Sequence, residues 1–298
     1  MRLGLALLAV ALLAACGDDG PIDRGILIEH VTLIDGTDRG AVPAMAVAVS
    51  GDRIVAVGPA GTLEVGPDVA RIDGTGKFLI PGLWDMHVHQ FGYDEHGFPL
   101  FLANGVTTIR DVGGRLDRVG YLRQESRYRR LLGPRVLIAG PMLESEIVVE
   151  ASQGTIAEGA SVATPDSATA VAVVDSLARA GVDHIKVHGA TPRVAYFAAA
   201  AAAKRHGLPL VGHVPDSVMP REAIEAGQRT IEHGSKQAFA NSARGRELSD
   251  WMLARRSEQL ASGEGVAALF RNRILADDSA SAAYDLATAQ EFARFAAS

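Results

Sequence analysis

Beyond Pro81-Gly82 the sequence alternates short apolar runs with helix-forming stretches, and this rhythm most narrowly limits the folds open to the chain. Leu83–His89, Val106–Ile109, Arg135–Ala139, Ile185–Val187, Leu208–Gly212 and Thr230–Glu232 read as strands. Leu116–Leu132, Ser167–Ala180, Val194–His206 and Ser217–Ala226 read as helices between them, the alanine run 198–203 being a strong helix former. Strands that alternate with helices imply parallel βα units. A (β/α)8 barrel of ~250 residues spends ~31 residues on each unit. The step from His89 to Lys186 fits three such units, and the steps to His213 and His233 fit one each. The spacing thus numbers these strands one, four, five and six. After Ser235 only helical patterns follow, over Arg246–Ser262, Val266–Leu275 and Ser279–Ala297. The expectation is an α/β fold: an incomplete (β/α)8 TIM-type barrel of about six units over residues 81–298, with the barrel's active end at the strand C-termini.

Residues 25–80 have a different texture. Ile26–Ile28, Val31–Ile34, Ala46–Val49 and Ile54–Val57 are short apolar runs divided by Asp35-Gly36, Gly51-Asp52 and Asp73-Gly74, the pattern of a small β-domain. Ahead of it, residues 1–15 carry one positive charge, an apolar run and small residues before Cys16, as an export signal does. Leu13-Ala14-Ala15-Cys16 resembles a bacterial lipobox, which makes Cys16 a lipid-attachment site; a plain signal peptide or an anchor helix is the alternative. Residues 16–24 then read as a tether, and the body is expected to sit in the cell envelope, held to the membrane by acyl chains. Cys16 is the chain's one cysteine, which excludes a disulfide framework and a Cys-rich zinc module. A net charge of −6 and 5% aromatic residues argue against a nucleic-acid partner.

Chemistry concentrates at the predicted strand ends. His87 and His89 stand at i and i+2, so on a strand both imidazoles share one face. Paired neutral imidazoles suit Zn²⁺ and similar divalent ions, although such a pair alone is also a common polar strand end. His213 and His233 each end an apolar run of their own, and singly each fits a polar residue at a strand–loop junction. Together the four would converge on one barrel mouth. Lys186 lies inside the strand Ile185–Val187. It either snorkels or pairs with a carboxylate, or it carries a depressed pKa that leaves a reactive neutral amine.

The segments Lys77–His89 and Asn104–Gly114, taken in order with Ile185-Lys186-Val187, Gly212-His213 and Glu232-His233-Gly234, resemble the metal-dependent amidohydrolase superfamily, in its branch of imidazolonepropionase-like and prolidase-like members. The resemblance runs over residues 25–234 and implies a hydrolase of carbon–nitrogen bonds in small amides, cyclic amides or dipeptides. It implies two divalent metal ions, zinc the expected species. His87 and His89 would hold the more buried ion and His213 and His233 the other, with carbamylated Lys186 bridging them. His184, His188 and a loop over 143–162 could face substrate, although the two histidines also fit as ordinary polar residues flanking a strand. The resemblance further implies that residues 25–80 form part of a composite β-sandwich. The family's strand-eight aspartate, in a Gly-Thr-Asp-like run, has no counterpart here, and Asp277-Asp278 lacks the preceding strand needed to replace it. The catalytic base therefore stays unassigned. The expectation is an incomplete chain whose last helix leads toward strand seven. The alternative is an inactive surface lipoprotein that uses a degenerate barrel to bind a ligand or metal.

Overall fold

The structure, a computed structural model, describes residues 22–234, 236–262 and 266–298. The leader, Cys16 and the tether up to residue 21 lie outside the described residues. The chain divides into two compact units, Met1–Pro81 and Gly82–Ser298.

In the first unit β1 (Gly25–Leu33), β2 (Val42–Ser50), β3 (Arg53–Pro59), β4 (Val69–Asp73) and β5 (Phe78–Leu79) form one mixed sheet in the order β3-β2-β1-β4. β1, β2 and β3 are antiparallel neighbours, while β4 and β5 both run parallel to β1. Leu27, Ala46, Ala48 and Val69 form its buried core. The two runs read from sequence as separate strands, Ile26–Ile28 and Val31–Ile34, belong to the single strand β1. A bulge joins them, with His30 at φ 59° and a register shift between Ile28 and Val31. Leu27 and Val31, on either side of the bulge, are both buried.

The second unit opens with β6 (Leu83–Val88), α1 (Phe98–Ala103), β7 (Val106–Asp111) and α2 (Leu116–Arg127). It continues with β8 (Arg135–Ile138), β9 (Met142–Glu144), α3 (Glu146–Ser152), β10 (Ser161–Ala163), α4 (Ser167–Arg179), β11 (Ile185–Val187) and α5 (Arg193–Arg205). Then come β12 (Leu210–Gly212), α6 (Pro220–Glu225), β13 (Gln228–Ile231), α7 (Gln237–Ala240), α8 (Gly245–Ser262), α9 (Val266–Ala282) and α10 (Leu286–Ala296). All strand pairings here are parallel, in two sheets, β6-β7-β8 and β10-β9-β11-β12-β13. β8 and β9 are successive parts of one run, parted at Gly140-Pro141, where a left-handed glycine and a residue without an N–H interrupt the ladder. The stretch 143–162, read from sequence as a loop, holds the end of β9, a helix and most of β10. Beyond Ser235 the described residues form helices plus an isolated bridge between Ser242 and Tyr284.

One apolar core fills this unit, with Ile109, Ile138, Leu143, Ile185, Val187 and Leu210 from the strands meeting the helices. Asp166 caps α4 by accepting from the Thr169 N–H at 2.8 Å, and Ala170, Val174 and Leu177 turn inward at helical spacing. On α5 the buried alanines 195, 199, 200, 202 and 203 let backbone approach backbone. A second cluster, Phe239, Leu248, Met252, Ala276 and Ala280, knits α7, α8 and α9.

Gly133 lies over the fully buried Phe98 ring. A Cβ placed there would sit 2.5 Å from Phe98 Cε1 and 2.9 Å from Cγ. Gly133→Ala should therefore cost ~1–3 kcal/mol through overpacking, read as a lowered urea midpoint with an unchanged slope.

Candidate metal centre

Each of the five candidate metal ligands lies at or within two positions of the C-terminal end of a parallel strand. His87 and His89 fall at the end of β6, Lys186 in β11, His213 just after β12, and His233 after β13. The four imidazoles gather into a chain of rings. Centroids are 5.1 Å apart for His87 and His89, 4.4 Å for His87 and His233, and 5.2 Å for His213 and His233. His233 reaches this position through a left-handed backbone, φ 57° and ψ 17°. His188, at the end of β11, extends the chain, its centroid 4.3 Å from that of His213.

The outer ring nitrogens of the first pair are committed. His89 Nδ1 lies 3.0 Å from the Gly113 carbonyl, which can only accept, so Nδ1 carries the proton. His87 Nδ1 donates likewise to the Glu232 carboxylate at 2.8 Å. In these tautomers both Nε2 atoms present lone pairs, and they face each other at 3.3 Å. Two lone pairs so placed repel unless a proton or a cation lies between them. Nitrogens each bound at about 2.05 Å to one tetrahedral ion would stand roughly 3.3 Å apart. Burial, opposed by the Gly113 hydrogen bond, lowers the His89 pKa to about 4, with help from Lys186 and His87, and so favours the neutral ligand form.

Lys186 is fully buried, and its Nζ has no hydrogen-bond partner among the described residues. Burial pulls its pKa down to about 8 against the attraction of Glu232. Space for its stem comes from Gly212 on the neighbouring strand. With φ at +125°, a Cβ there would meet Lys186 Cδ at 2.7 Å and Cε at 2.9 Å, and would also press on the Val187 carbonyl. His213 Nδ1 is likewise buried without a partner, and burial, with repulsion from His188, Lys186 and Arg273, takes its pKa to about 2. Two buried nitrogens without partners and one pair of opposed lone pairs make an electron-rich cluster that would suit a cation. Among the described residues, however, no three His, Cys, Asp or Glu side chains close into a metal cage by themselves.

Carboxylates back the imidazoles, and sequence reasoning gave them no role. Glu232 accepts from Arg110 at 2.6 Å, from Thr230 at 2.7 Å and from His87. Burial alone would raise its pKa; the His87 and Thr230 hydrogen bonds and the Arg110 charge outweigh burial and hold it at about 2. Asp111, at the end of β7, accepts from Tyr93 at 2.9 Å and from the Gly113 N–H at 3.1 Å, yet burial pushes it up to about 6. Glu144, wholly buried at the end of β9, pairs with His188. The detectable signal for all three was position: each is an acid at the end of a strand. His184, a candidate substrate-facing residue by sequence, instead donates to the Asp111 carbonyl from the core at 3.1 Å.

The second unit is thus a parallel α/β unit with its imidazoles, a buried amine and their supporting acids at the strand ends. The chain matches no family model. It is 39% identical over 70 residues to an adenine deaminase of Rubrobacter xylanophilus, 24% of this chain and 12% of that one. It is 34% identical over 113 residues to an imidazolonepropionase of Symbiobacterium thermophilum, 33% of this chain and 27% of the relative. An N-acyl-D-aspartate deacylase of Alcaligenes xylosoxydans xylosoxydans is 42% identical over 97 residues, 31% of this chain and 18% of that enzyme. The matches thus span between 12% and 27% of these relatives' lengths. In fold the chain resembles a putative prolidase from Bifidobacterium longum, with TM-score 0.63 and 24% identity over 87% of this chain and 69% of that one. It also resembles a Xaa-Pro dipeptidase solved with methionine in its active site, with TM-score 0.64 and 19% identity over 86% of this chain and 74% of the other. The relatives it matches in part are thus deaminases, imidazolonepropionases and a deacylase, and the solved structures it resembles share its fold.

Because the folded Glu232 pKa lies below the ordinary 4.5, its ionised form stabilises the fold above pH 4.5, and that contribution drains away as pH falls toward 2. Solvent screening trims the full linkage value, so Glu232→Gln should lose about 2 kcal/mol at neutral pH and lack this limb of the acid dependence. Urea unfolding at pH 7, 4 and 3 measures both effects.

Proposed function

We propose that the chain carries the metal-binding half of a hydrolase that cleaves a carbon–nitrogen bond in a small amide, cyclic amide or dipeptide. The observation that carries this reading is the 3.3 Å opposition of the His87 and His89 lone pairs beside a buried, partnerless Lys186. The named activities of two relatives support it, since deamination and N-deacylation both break bonds between carbon and nitrogen. The sequential parallel strands and the prolidase-like neighbours support a (β/α)8-type barrel represented by about six units, and the five-stranded sheet over 25–79 supports one layer of a β-sandwich.

His87 and His89 would hold one divalent ion, zinc the favoured species, and His213 and His233 a second. Lys186, as its carbamate, would lie between them. Bound divalent metal supplies Lewis acidity toward a water and a substrate carbonyl. The chain's own groups prepare that chemistry. Glu232 and the Gly113 carbonyl hold the two imidazoles in the tautomer whose Nε2 is a ligand, and Arg110 and Thr230 hold Glu232 in turn. A Lys186 pKa of about 8 leaves roughly a tenth of the amine neutral at pH 7, the form that adds to carbon dioxide. From the lipobox-like Leu13–Cys16 we also propose a lipid-anchored location at the cell envelope. Among the described residues no helix is long and apolar enough to cross a membrane.

Purified chain equilibrated with Zn²⁺ and dialysed should retain about two ions by elemental analysis. His87→Ala should lose at least one of them, and Lys186→Ala should weaken retention of both. Retention of the same metal by His87→Ala would sink the ligand assignment.

A further inference from the structure

The end of the second unit opposite the imidazoles carries a charge pattern that the hydrolase reading does not use. The strands of this unit pair in parallel, so the turns that lead from α2 into β8, from α4 into β11, from α5 into β12 and from α6 into β13 all lie at the strand N-termini. Residues 123–135, 175–185, 204–210 and 225–229 make up those turns and the helix ends before them, and they hold nine Lys and Arg against four Asp and Glu. That is an excess of five positive charges at one end of a chain whose net charge is −6. Three of the four acids are already committed to neighbours: Glu125 to Arg130 at 2.5 Å, Asp175 to His206 at 2.7 Å, and Asp183 to Arg123 at 3.3 Å. Arg127, Arg129, Arg135, Lys204 and Arg229 are all exposed, and among the described residues none of them forms an ion pair. Cations in the last turn of a helix complement its dipole, which accounts for Arg127, Arg179, Lys204 and Arg205. It does not account for Arg129, Arg130, Arg135 and Arg229, which stand outside the helices. The turn between α2 and β8 is also firm and partly apolar. Ser126 Oγ donates to the Pro134 carbonyl at 2.6 Å, and the Arg130 and Leu131 N–H groups reach the Glu125 carbonyl at 2.9 and 3.2 Å. Out of this frame stand Tyr128, 60% exposed with the Arg130 guanidinium 5.0 Å from its ring centre, and Leu132, 69% exposed.

We propose that this end of the second unit is a docking surface for a membrane containing anionic phospholipid. The arginines and Lys204 meet the phosphate headgroups, while Tyr128 and Leu132 enter the boundary between headgroups and acyl chains. Each basic side chain is drawn to an anionic leaflet only within about a Debye length of it, so cations gathered at one end act together where scattered ones would not. Guanidiniums match phosphate oxygens in paired hydrogen bonds and keep their charge at every working pH. The apolar pair favours lipid over an acidic protein or a nucleic acid. A partner held by charge alone has no use for an exposed ring and an aliphatic chain among arginines, whereas a tyrosine with a cationic neighbour suits the level of the headgroups. The surface is distinct from the acyl anchor proposed at Cys16 and does not depend on it. Where both are present they reinforce each other, since attachment by acyl chains is strengthened by a basic patch. Docked in this way, the strand ends that carry the imidazoles face away from the lipid.

The test uses the full chain carrying Cys16→Ser, so that no acyl group contributes, in co-sedimentation with vesicles of phosphatidylcholine alone or with one third phosphatidylglycerol. Binding to the anionic vesicles should be about ten-fold tighter than to the neutral ones, and the difference should vanish as salt rises to ~0.5 M. Any binding through the apolar leader appears equally on both kinds of vesicle. Arg127→Gln, Arg129→Gln and Arg135→Gln combined should weaken binding to the anionic vesicles about ten-fold, and Lys204→Gln with Arg229→Gln should weaken it as well. Arg115→Gln, Arg244→Gln and Arg294→Gln combined remove as much charge from outside this surface and should change it by less than about two-fold. Tyr128→Ser with Leu132→Ser should weaken binding while its salt dependence remains. These side chains are exposed, so the circular dichroism of every variant should match that of the unaltered chain. Equal binding to neutral and anionic vesicles overturns the proposal, as does undetectable binding to both. An equal loss in the two arginine triples also overturns it, net charge then being the cause. Retention on immobilised poly-L-glutamate or duplex DNA without retention by the anionic vesicles would overturn it in favour of an acidic protein or a nucleic acid.

Discussion

Two imidazoles cannot turn lone pairs toward each other at close range without something positive between them, and much of the second unit is arranged to keep His87 and His89 in that position. Glu232 arrives from β13 and Gly113 from the turn after β7, so the tautomers are fixed by two segments far from β6 in sequence. Arg110 then neutralises Glu232 from β7 and donates to the Met86 carbonyl at 2.7 Å, closing the network on β6 itself. A polar arrangement buried to this degree is costly unless every member is satisfied. Satisfaction is nearly complete around Glu232 and fails at Lys186 Nζ and His213 Nδ1.

Local chemistry explains how much of this was legible in the chain. The strands of the second unit could be read because buried parallel strands are apolar on both faces, and Ile185–Val187 and Leu210–Gly212 are wholly buried. The imidazoles could be read because each stands at or just past the end of a strand. Asp111 and Glu232 gave only their position at a strand end, and Glu144 gave less, because it sits in a segment whose short helix and strands carry no clear period. The strand read over Thr230–Glu232 ends instead at Ile231, since Glu232 and His233 leave the ladder in a tight turn that aims both side chains at the site. In β1 the departure was of another kind: the residue that broke the pattern, His30, is accommodated as a bulge.

The helical segment after β13 does more than cover apolar surface. Its own small core of Phe239, Leu248, Met252, Ala276 and Ala280 makes it a unit, and Lys236 fastens that unit to the backbone of the turn following His213. The lysine is buried and its pKa is lowered to about 8, chiefly by burial, yet three oxygens surround its ammonium. The contrast with Lys186 is instructive. Both amines are buried, but one is saturated with acceptors and braces a turn, whereas the other is left bare at the centre of the histidines.

The pairing of Lys186 with Gly212 sets a limit on how this site can change. The lysine stem occupies the volume that any side chain at 212 would need, and the backbone at 212 has a sign of φ that only glycine adopts cheaply. Shortening the lysine would open a void, but no residue across the ladder could expand to fill it, because the obstacle there is backbone geometry as well as crowding. Compensation between the two positions is thus closed in both directions. A lineage that gave up the amine would keep the hollow, and an empty hollow beneath four imidazoles would remain as the trace of the chemistry it had lost.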